Sequence, residues 1–136
     1  MKTFLLLLSF VLSLNAVELG WSHNYQKGLQ EAKKEHKLVY VLITSDHCGW
    51  CRKFERTTLQ NKAIKERLKR EFITIHLSRE WDEIPAAFQT SPIPRHYFVD
   101  AKGNILYLSL GHRDVEMFDS FMDNAQEKDK LNKEKK

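Results

Sequence analysis

Hydrophobic positions along the chain first follow a helical spacing and then a strand spacing. Apolar side chains three and four residues apart predict an amphipathic helix over residues 23–36, with Ser22 as its N-cap. The next apolar positions form one continuous run, 38–43, which is rich in β-branched residues. A strand buried on both faces has this pattern, so the run predicts the central strand of a sheet.

The pattern continues as two helices and a second strand. A short loop, 44–47, precedes a helix predicted over residues 48–59, and Asn61 caps another helix that ends at Arg70. Residues 72–77 then form the second predicted strand. Two strands joined through helices predict a βαβ unit with parallel strands and a right-handed crossover.

Prolines and a glycine divide the second half of the chain. Three prolines mark a loop, in which we expect one short helix over residues 82–88. Strands predicted at 96–99 and 105–110 flank a glycine-bearing turn of hairpin length. Asp114 then caps a last helix with one apolar face, formed by Val115, Phe118, Phe121 and Met122. The order of elements predicts an α/β fold.

The first sixteen residues are unlike the rest. Lys2 precedes an apolar run over residues 4–14, and Ala16 offers a small residue for cleavage, which is typical of a secretory signal peptide over residues 1–16. The run is shorter than the roughly 20 residues that a membrane-spanning helix needs. We therefore expect an exported mature protein that begins near Val17. A bacterial periplasm is favoured over a secretory lumen, because the chain ends without a retention tetrapeptide.

Composition and charge set the broad class. The chain has 136 residues, of which 42% are hydrophobic and 29% charged, as in one ordinary globular domain. We expect that domain over residues 17–127. The lysine-rich segment 128–136 is interpreted as a solvated tail, with a membrane-surface or acidic-partner role as the alternative.

A net charge of +4 does not indicate a nucleic-acid surface, and we expect a monomer without a nucleic-acid partner.

Both cysteines of the chain lie at one predicted helix start. Cys48 and Cys51 enclose Gly49 and Trp50, directly after the central strand, where α/β sheets expose their carboxyl ends for chemistry. Backbone N–H groups and the positive end of the helix dipole favour a thiolate at the first cysteine, and the second lies one turn later. Such a thiolate can attack a substrate disulfide, and the second thiol can resolve the mixed disulfide.

A structural disulfide and half of a zinc site are the two other interpretations of the pair. A purely structural disulfide would close so short a loop that it contributes little stability by the chain-entropy argument. A zinc site needs two more ligands, and the six histidines include no pair at the His-x₃₋₅-His spacing. Redox use is therefore the favoured interpretation, with no metal and no cofactor expected.

The chain resembles the thioredoxin-like proteins, and most of all exported members that carry a Cys-Gly-Trp-Cys tetrad. The resemblance covers nearly all of residues 21–125. It rests on Trp21, Glu31-Ala32-Lys33-Lys34, the segment 37–41, the segment 48–53, Ile93-Pro94 ahead of the strand 97–100, and Gly111. It implies a thioredoxin-like fold: a mixed four- or five-stranded sheet with helices on both faces, in which the hairpin is antiparallel to the central strand.

The resemblance also implies roles for individual residues. Cys48 would be the exposed nucleophile and Cys51 the buried resolving thiol. Pro94 takes the position of the family's cis proline, and the backbone of Ile93 would pair with an extended substrate segment. Arg95, which follows that proline, is interpreted as a surface charge rather than a substrate clamp.

The neighbours of the cysteines are expected to tune them. His47 either stabilises the thiolate or lies in a solvated loop, and Trp50 contacts a client, covers the sulfurs or packs on the surface. The Gly49-Trp50 dipeptide differs from the Gly-Pro of thioredoxin, and three cations near the pair (Arg52, Lys53 and Arg95) predict an electropositive environment that favours the thiolate.

One departure from the family concerns proton transfer. Thioredoxin has a buried Asp where this chain has Leu42, so a solvent path, His47 or a nearby Glu must accept the proton of the resolving thiol. Two tryptophans and two carboxylates outside the cysteine pair need no functional role. We expect core or rim packing for two tryptophans, Trp21 and Trp81, and solvent-exposed charges at Asp46 and Glu55.

These observations predict an exported thiol–disulfide oxidoreductase. We expect it to reduce or exchange disulfides of exported client proteins through a Cys48/Cys51 cycle, with a membrane or periplasmic redox partner. Two alternatives stay open: a thiol oxidase of the same fold, and a non-catalytic binding module with a permanent Cys48–Cys51 bridge.

Overall fold

The computed structural model describes residues 17–89 and 91–136, and the predicted signal peptide lies outside them. The described chain contains four helices, α1 to α4, four strands, β1 to β4, and two short 3₁₀ turns. In chain order these are α1 (Tyr25–Glu35), β1 (Leu38–Thr44), α2 (Gly49–Arg56), a turn (Thr58–Gln60), α3 (Lys62–Glu71), β2 (Phe72–Ser78), a turn (Ala86–Phe88), β3 (Arg95–Val99), β4 (Ile105–Leu110) and α4 (Val115–Glu134).

The strands form one mixed sheet in the order β2-β1-β3-β4. β1 is parallel to β2 and antiparallel to β3, so Leu42 faces His76 on one side and His96 on the other. All seven residues of β1 are buried, as its unbroken apolar run predicted. The mixed sheet, the central position of β1 and the antiparallel hairpin are confirmed.

Apolar side chains fill the space on both faces of the sheet. Alternate residues of a strand point to opposite faces, so Tyr40 and Leu42 join the cluster under α2, α3 and α4. Val41 and Ile43 join the cluster on the α1 side. α1 approaches the sheet closely at Gly28, where a Cβ would lie only 2.6 Å from Ile75 Cγ1.

Three predicted element boundaries were wrong for identifiable reasons. Asn24, not Ser22, caps α1, and its Oδ1 accepts a hydrogen bond of 2.9 Å from Lys27 N; Ser22 instead bridges to β2. The helix predicted to reach residue 59 ends at Arg56 and continues as a 3₁₀ turn. The helix predicted over residues 82–88 is a single 3₁₀ turn, because the residue before Pro85 is disfavoured in the helical conformation.

The last helix departs from its prediction in two ways. Asp114 caps it as expected, with Oδ1 2.9 Å from Met117 N, but Val115 is exposed rather than part of the apolar face. The helix also continues to Glu134 through the segment predicted as a tail, and Lys133 pairs with Asp129 at 2.6 Å. The side chains of that segment are largely exposed. Among the described helices, none is both long and apolar enough to span a bilayer.

Candidate active site

The two cysteines form a disulfide at the start of α2. Their Cα atoms lie 5.2 Å apart. Cys48 is the N-cap residue in an extended conformation, and its Sγ accepts a hydrogen bond of 3.1 Å from the backbone N–H of Cys51. Cys48 retains 8% of its accessible surface and Cys51 none. One sulfur therefore borders solvent at a helix N-terminus, which favours negative charge, while the other is enclosed.

The residues beside the disulfide are open to solvent. His47 and Gly49 are both exposed. Trp50 is 61% exposed, with the Lys53 ammonium 5.0 Å from its ring centroid and the His112 ring at 5.9 Å. Burial and the nearby Lys53 charge lower the pKa of His112. Trp50 therefore presents an aromatic surface next to the sulfurs rather than filling the core.

The Ile93–Pro94 segment lies at the same edge of the sheet. Because Ile43 pairs with Arg95 in the antiparallel register, Pro94 falls level with the carboxyl end of β1, from which the loop to Cys48 departs. The Ile93–Pro94 peptide bond is cis. Pro94 is buried and Ile93 half-buried, and the Pro94 carbonyl accepts a hydrogen bond of 2.7 Å from Gly111 N.

Arg95 is not the surface charge that the sequence predicted. It retains 2% of its accessible surface. Its Nε donates to the Pro92 carbonyl at 2.8 Å, and its Nη1 donates to the Phe88 carbonyl. The β3 register gives the reason: Arg95 pairs with Ile43, whose side chain belongs to the α1 face. Arg95 therefore holds the loop that precedes Pro94, with its guanidinium directed to the Phe88 and Pro92 carbonyls.

A buried histidine that sequence reasoning missed lies next in β3. His96 is fully buried, and its Nε2 donates to the Gly111 carbonyl at 2.8 Å. A carbonyl only accepts, so Nδ1 is unprotonated and accepts from the Tyr40 hydroxyl at 2.8 Å. The ring packs on Phe54 of α2 with centroids 4.6 Å apart. Burial lowers the pKa of His96 to about 4. The sequence offered one signal for this position: adjacent residues of a strand point to opposite faces, so His96 lies on the face opposite to that of Arg95.

Glu55 is half-buried rather than solvent-exposed. It follows Cys51 by four residues in α2, so both side chains lie on one helix face. Its Oε1 is 4.0 Å from His76 Nε2, and its Oε2 is 3.3 Å from Arg52 Nε. Burial raises the pKa of Glu55, against the opposing effect of Arg52.

Glu55 opens into a cleft below α2. The cleft has a volume of about 220 Å³, and its lining includes Leu42, His76 and Trp21. Burial, together with the charges of His23 and Arg52, lowers the pKa of His76. Leu42 contributes an apolar wall to the cleft, so the half-buried carboxylate there, Glu55, comes from α2 and not from the strand.

The Glu80 carboxylate holds the loop ahead of Cys48 in place. The Glu80 carboxylate accepts from the Ser45 hydroxyl and, at 3.2 Å, from Asp46 N. The Asp46 carboxylate accepts from Trp81 Nε1 at 2.7 Å. Trp81 is 78% exposed, so its prediction as a core or rim residue was wrong. These carboxylates also limit the predicted electropositive environment to the α2 side of the disulfide.

The described residues contain no group of three or more His, Cys, Asp or Glu side chains placed to hold a metal ion. A mixed sheet flanked by helices, with a Cys-x-x-Cys disulfide on the first turn of the helix after its central strand, defines a thioredoxin-fold protein. A model of the thioredoxin-like domain family matches residues 25–126. The chain belongs to this family.

Curated relatives are distant and mostly longer. Anterior gradient protein 3 of Mus musculus is 26% identical over 83 residues, which cover 61% of this chain and 50% of that protein. An uncharacterized protein of Archaeoglobus fulgidus is 26% identical over 102 residues, covering 68% of this chain and 80% of that protein. The chain thus spans about half the length of the mouse protein.

Solved structures share the fold. The structure of DsbH oxidoreductase superposes with a TM-score of 0.66 and 22% identity, covering 81% of this chain and 85% of that one. A thioredoxin from Thermus thermophilus gives 0.65 at 19% identity, covering 80% and 85%. The oxidised C-terminal domain of Neisseria meningitidis DsbD gives 0.63 at 18% identity, covering 74% and 91%.

Proposed function

We propose that this protein is an exported thiol–disulfide oxidoreductase that cycles Cys48 and Cys51 between dithiol and disulfide. The observation that carries the proposal is the asymmetry of the pair at the start of α2: Cys48 borders solvent and caps the helix, whereas Cys51 is enclosed. A helix N-terminus lowers the pKa of a cysteine placed there, and the thiolate is the form that attacks disulfides. The second thiol is then within reach to resolve the intermediate.

The reaction proceeds in two exchanges. The Cys48 thiolate attacks one sulfur of a client disulfide; the client S–S bond breaks, and its other sulfur leaves as a thiolate that takes up a proton. Cys51 then loses its proton and attacks Cys48 Sγ. This step breaks the mixed disulfide, forms the Cys48–Cys51 bond and releases the second client thiol. Two electrons pass to the client, and a thiol reductant in the same compartment restores the dithiol.

Glu55 is the proposed proton acceptor for Cys51. It lies one helical turn further along the same face of α2, in the cleft that Leu42 lines. Burial raises its pKa, which makes the carboxylate a better base near neutral pH than an exposed Glu. His47, the other candidate, lies exposed in the loop ahead of Cys48 and is not on the helix face that Cys51 and Glu55 share.

The client is proposed to bind as an extended segment along the edge of the site. The backbone of Ile93, next to Pro94 and level with the end of β1, would pair with it as an added strand does. Trp50 offers an exposed aromatic contact, with Gly49 leaving space at the sulfurs. His47 would stabilise the neighbouring thiolate when protonated.

Export and direction form part of the same proposal. The sequence of residues 1–16 favours export. The names of two structural neighbours, DsbH oxidoreductase and the DsbD C-terminal domain, fit a periplasmic setting and disulfide exchange with partners. We favour the reducing direction and a monomer. A thiol oxidase of the same fold would have a high reduction potential and a strongly lowered Cys48 pKa.

A second candidate function is a binding module with a permanent disulfide. The observation in its favour is the small exposed fraction of Cys48, 8%. Such a module predicts a reduction potential below about −300 mV and no mixed disulfide with clients, because structural bonds of that potential resist the thiol pool.

Cysteine variants separate these functions. We expect the reduced wild-type protein to reduce insulin, Cys48→Ser to be inactive, and Cys51→Ala to accumulate a mixed disulfide at Cys48. Mass spectrometry of the trapped complexes identifies the clients. A Cys48→Ser protein that reduces insulin as fast as wild type would contradict the proposed function. No insulin reduction by the wild type, together with no trapped complex of Cys51→Ala, would support the binding module.

A further inference from the structure

Trp81 combines high exposure with a defined position. Among the exposed large hydrophobic residues of the described chain it has the greatest exposed fraction, 78%. Yet its indole N–H donates to the Asp46 carboxylate at 2.7 Å, and Asp46 lies two residues before Cys48. The ring is therefore oriented toward the redox loop without being buried by it.

The turn that carries Trp81 is joined to that loop at several points. Arg79 N donates to the Thr44 carbonyl at 2.9 Å, and the Glu80 carboxylate accepts from Ser45 and Asp46. Side chain and backbone thus connect the end of β2 to the segment between β1 and Cys48. An aromatic ring held in this way loses little conformational freedom when it binds a partner.

The surroundings of Trp81 differ in charge from those of Trp50. Four carboxylates (Asp46, Glu80, Asp82 and Glu83) and one guanidinium (Arg79) lie within or beside the joined segments, in a chain whose net charge is +4. Trp50, on the α2 side of the disulfide, instead has Lys53 over its ring. The two exposed indoles therefore flank the redox loop in opposite electrostatic environments.

A cavity lies directly beside Trp81. It has a volume of about 260 Å³ and is lined by Trp81, Asp82, Glu83, Pro85 and Tyr25 together with the polar residues His23, Asn24 and Gln26. An arginine or lysine side chain suits such a place, because its charge is attracted both to the face of an indole and to carboxylates, and its methylenes can pack on the rings of Tyr25 and Pro85.

We propose that Trp81 and this cavity bind a positively charged side chain of the client, close to the client's reactive cysteine. The inference rests on the proposed disulfide exchange and deepens it, since it names the sequence class of the preferred client: a cysteine-containing segment with a nearby Arg or Lys. Trp81 selects the client in this proposal and takes no part in bond making or breaking.

Matched peptides test the preference. Each peptide has one cysteine, linked by a disulfide to thionitrobenzoate, and a single variable position two or three residues away that is Arg, Ala or Glu. Release of thionitrobenzoate by the reduced protein, measured by absorbance at subsaturating peptide, reports the rate of attack. We expect wild type to react about five-fold faster with the Arg peptide than with the Ala peptide, from the size of cation–π and exposed charge interactions.

Variants assign the preference to Trp81. Trp81→Ala should bring the Arg:Ala rate ratio to about one, whereas Leu131→Ala, which removes an exposed apolar side chain on α4, should leave it unchanged. Glu83→Gln keeps the indole hydrogen bond to Asp46 and should lower the ratio by about half, so it serves as the test if Trp81→Ala does not fold.

Three outcomes would overturn the inference. They are equal wild-type rates with all three peptides, an unchanged ratio in both Trp81→Ala and Glu83→Gln, and a uniform slowing of all peptides by Trp81→Ala at constant ratio, which would make Trp81 a positioning residue for the loop. Failure of the wild-type protein to release thionitrobenzoate from any peptide would instead count against the proposed function itself.

Discussion

At the scale of single residues, His96 shows how a polar side chain is accommodated under the redox helix. Its two ring nitrogens are both used, one as donor to Gly111 and one as acceptor from Tyr40. A buried neutral histidine with both partners costs little, whereas protonation would turn Nδ1 into a donor, so that the Tyr40 hydroxyl could no longer donate to it, and would place a charge in the core. Gly111 in turn donates to the Pro94 carbonyl, so the histidine links α2 to the Pro94 segment.

This arrangement predicts a stability that depends on pH. The pKa of His96 is about 4 in the folded protein and near 6.5 without burial, so between these values the unfolded chain binds more protons. The free energy of unfolding should therefore fall as the pH drops from about 6.5 to 4, by roughly 3 kcal/mol from this group. Urea unfolding over that pH range measures the loss.

His96→Gln is the matched variant, because its amide can still donate to Gly111. The variant should be less stable than wild type at pH 7 but should lose less stability on acidification. Since every other ionisable group is the same in both proteins, the difference between the two pH profiles isolates His96. Parallel profiles would show that His96 does not titrate as described.

Glu55 carries the second prediction at the residue scale. If it accepts the Cys51 proton, Glu55→Gln should slow resolution of the mixed disulfide by roughly 100-fold, the lower end of general-base effects, while attack by Cys48 is affected less. Because burial raises the pKa of Glu55, the wild-type resolving rate should decline as the pH falls through that raised value. Single-turnover release of a peptide thiol measures the step.

The control for Glu55 is Glu66→Gln. Glu66 is an exposed carboxylate on α3 that pairs with Lys62 at 3.8 Å, and its loss should not change the resolving rate. Resolution by Glu55→Gln at the wild-type rate would show that Glu55 is not the proton acceptor and leave the role to His47 or solvent.

At the scale of elements, the loop before β3 depends on one side chain. Arg95 donates to the carbonyls of Phe88 and Pro92. A side chain of β3 therefore fixes, through hydrogen bonds, the segment that leads into Pro94. The 3₁₀ turn Ala86–Phe88 is too short to hold that segment by itself. The position of Pro94 at the sheet edge therefore rests on a contact that a surface arginine would not make.

Arg95→Ala should be strongly destabilising for this reason. It leaves two carbonyl groups unpaired next to a space vacated by a buried side chain, and a loss of about 3 kcal/mol is expected. Arg56→Ala is the control, because Arg56 is exposed at the end of α2 and such changes usually stay within about 0.5 kcal/mol. Urea unfolding measures the free energy of unfolding of both variants. If Arg95→Ala is as stable as Arg56→Ala, the loop is held by other contacts.

At the scale of the whole molecule, the two apolar clusters share β1. Tyr40 and Leu42 belong to the cluster under α2, α3 and α4, and Val41 and Ile43 to the cluster under α1. If β1 left the sheet, both clusters would become exposed to water at once. The described chain should therefore unfold in one transition.

Two probes check this cooperativity. Far-UV circular dichroism follows all helices. The change in tryptophan fluorescence on unfolding reports chiefly Trp21, which packs against the cluster under α2, α3 and α4, since Trp50 and Trp81 are already exposed in the folded protein. We expect the same urea midpoint from both, and similar free energies of hydrogen exchange in α1 and α3. A lower exchange free energy in α1 alone would show that its face opens separately.

Much of the fold follows from local properties of the sequence. The run 38–43 can be buried only at the centre of a sheet, Asn61 and Asp114 satisfy the first N–H groups of their helices, and each signal lies within a few residues of the element it predicts. The cysteine pair is equally local, because Cys48 and Cys51 need only one helical turn to meet. The sequence alone therefore determined the elements, the central strand and the redox pair.

Only the tertiary structure decided how distant residues meet. Trp81 and Asp46, His96 and Tyr40, and Arg95 and Phe88 come from different segments, and the face on which each side chain lies depends on strand register. A shift of one residue in register exchanges the two faces of a strand. Periodicity within a segment carries no information about that pairing. Arg95 was therefore predicted at the surface although it is buried, and Trp81 in the core or at its rim although it is exposed.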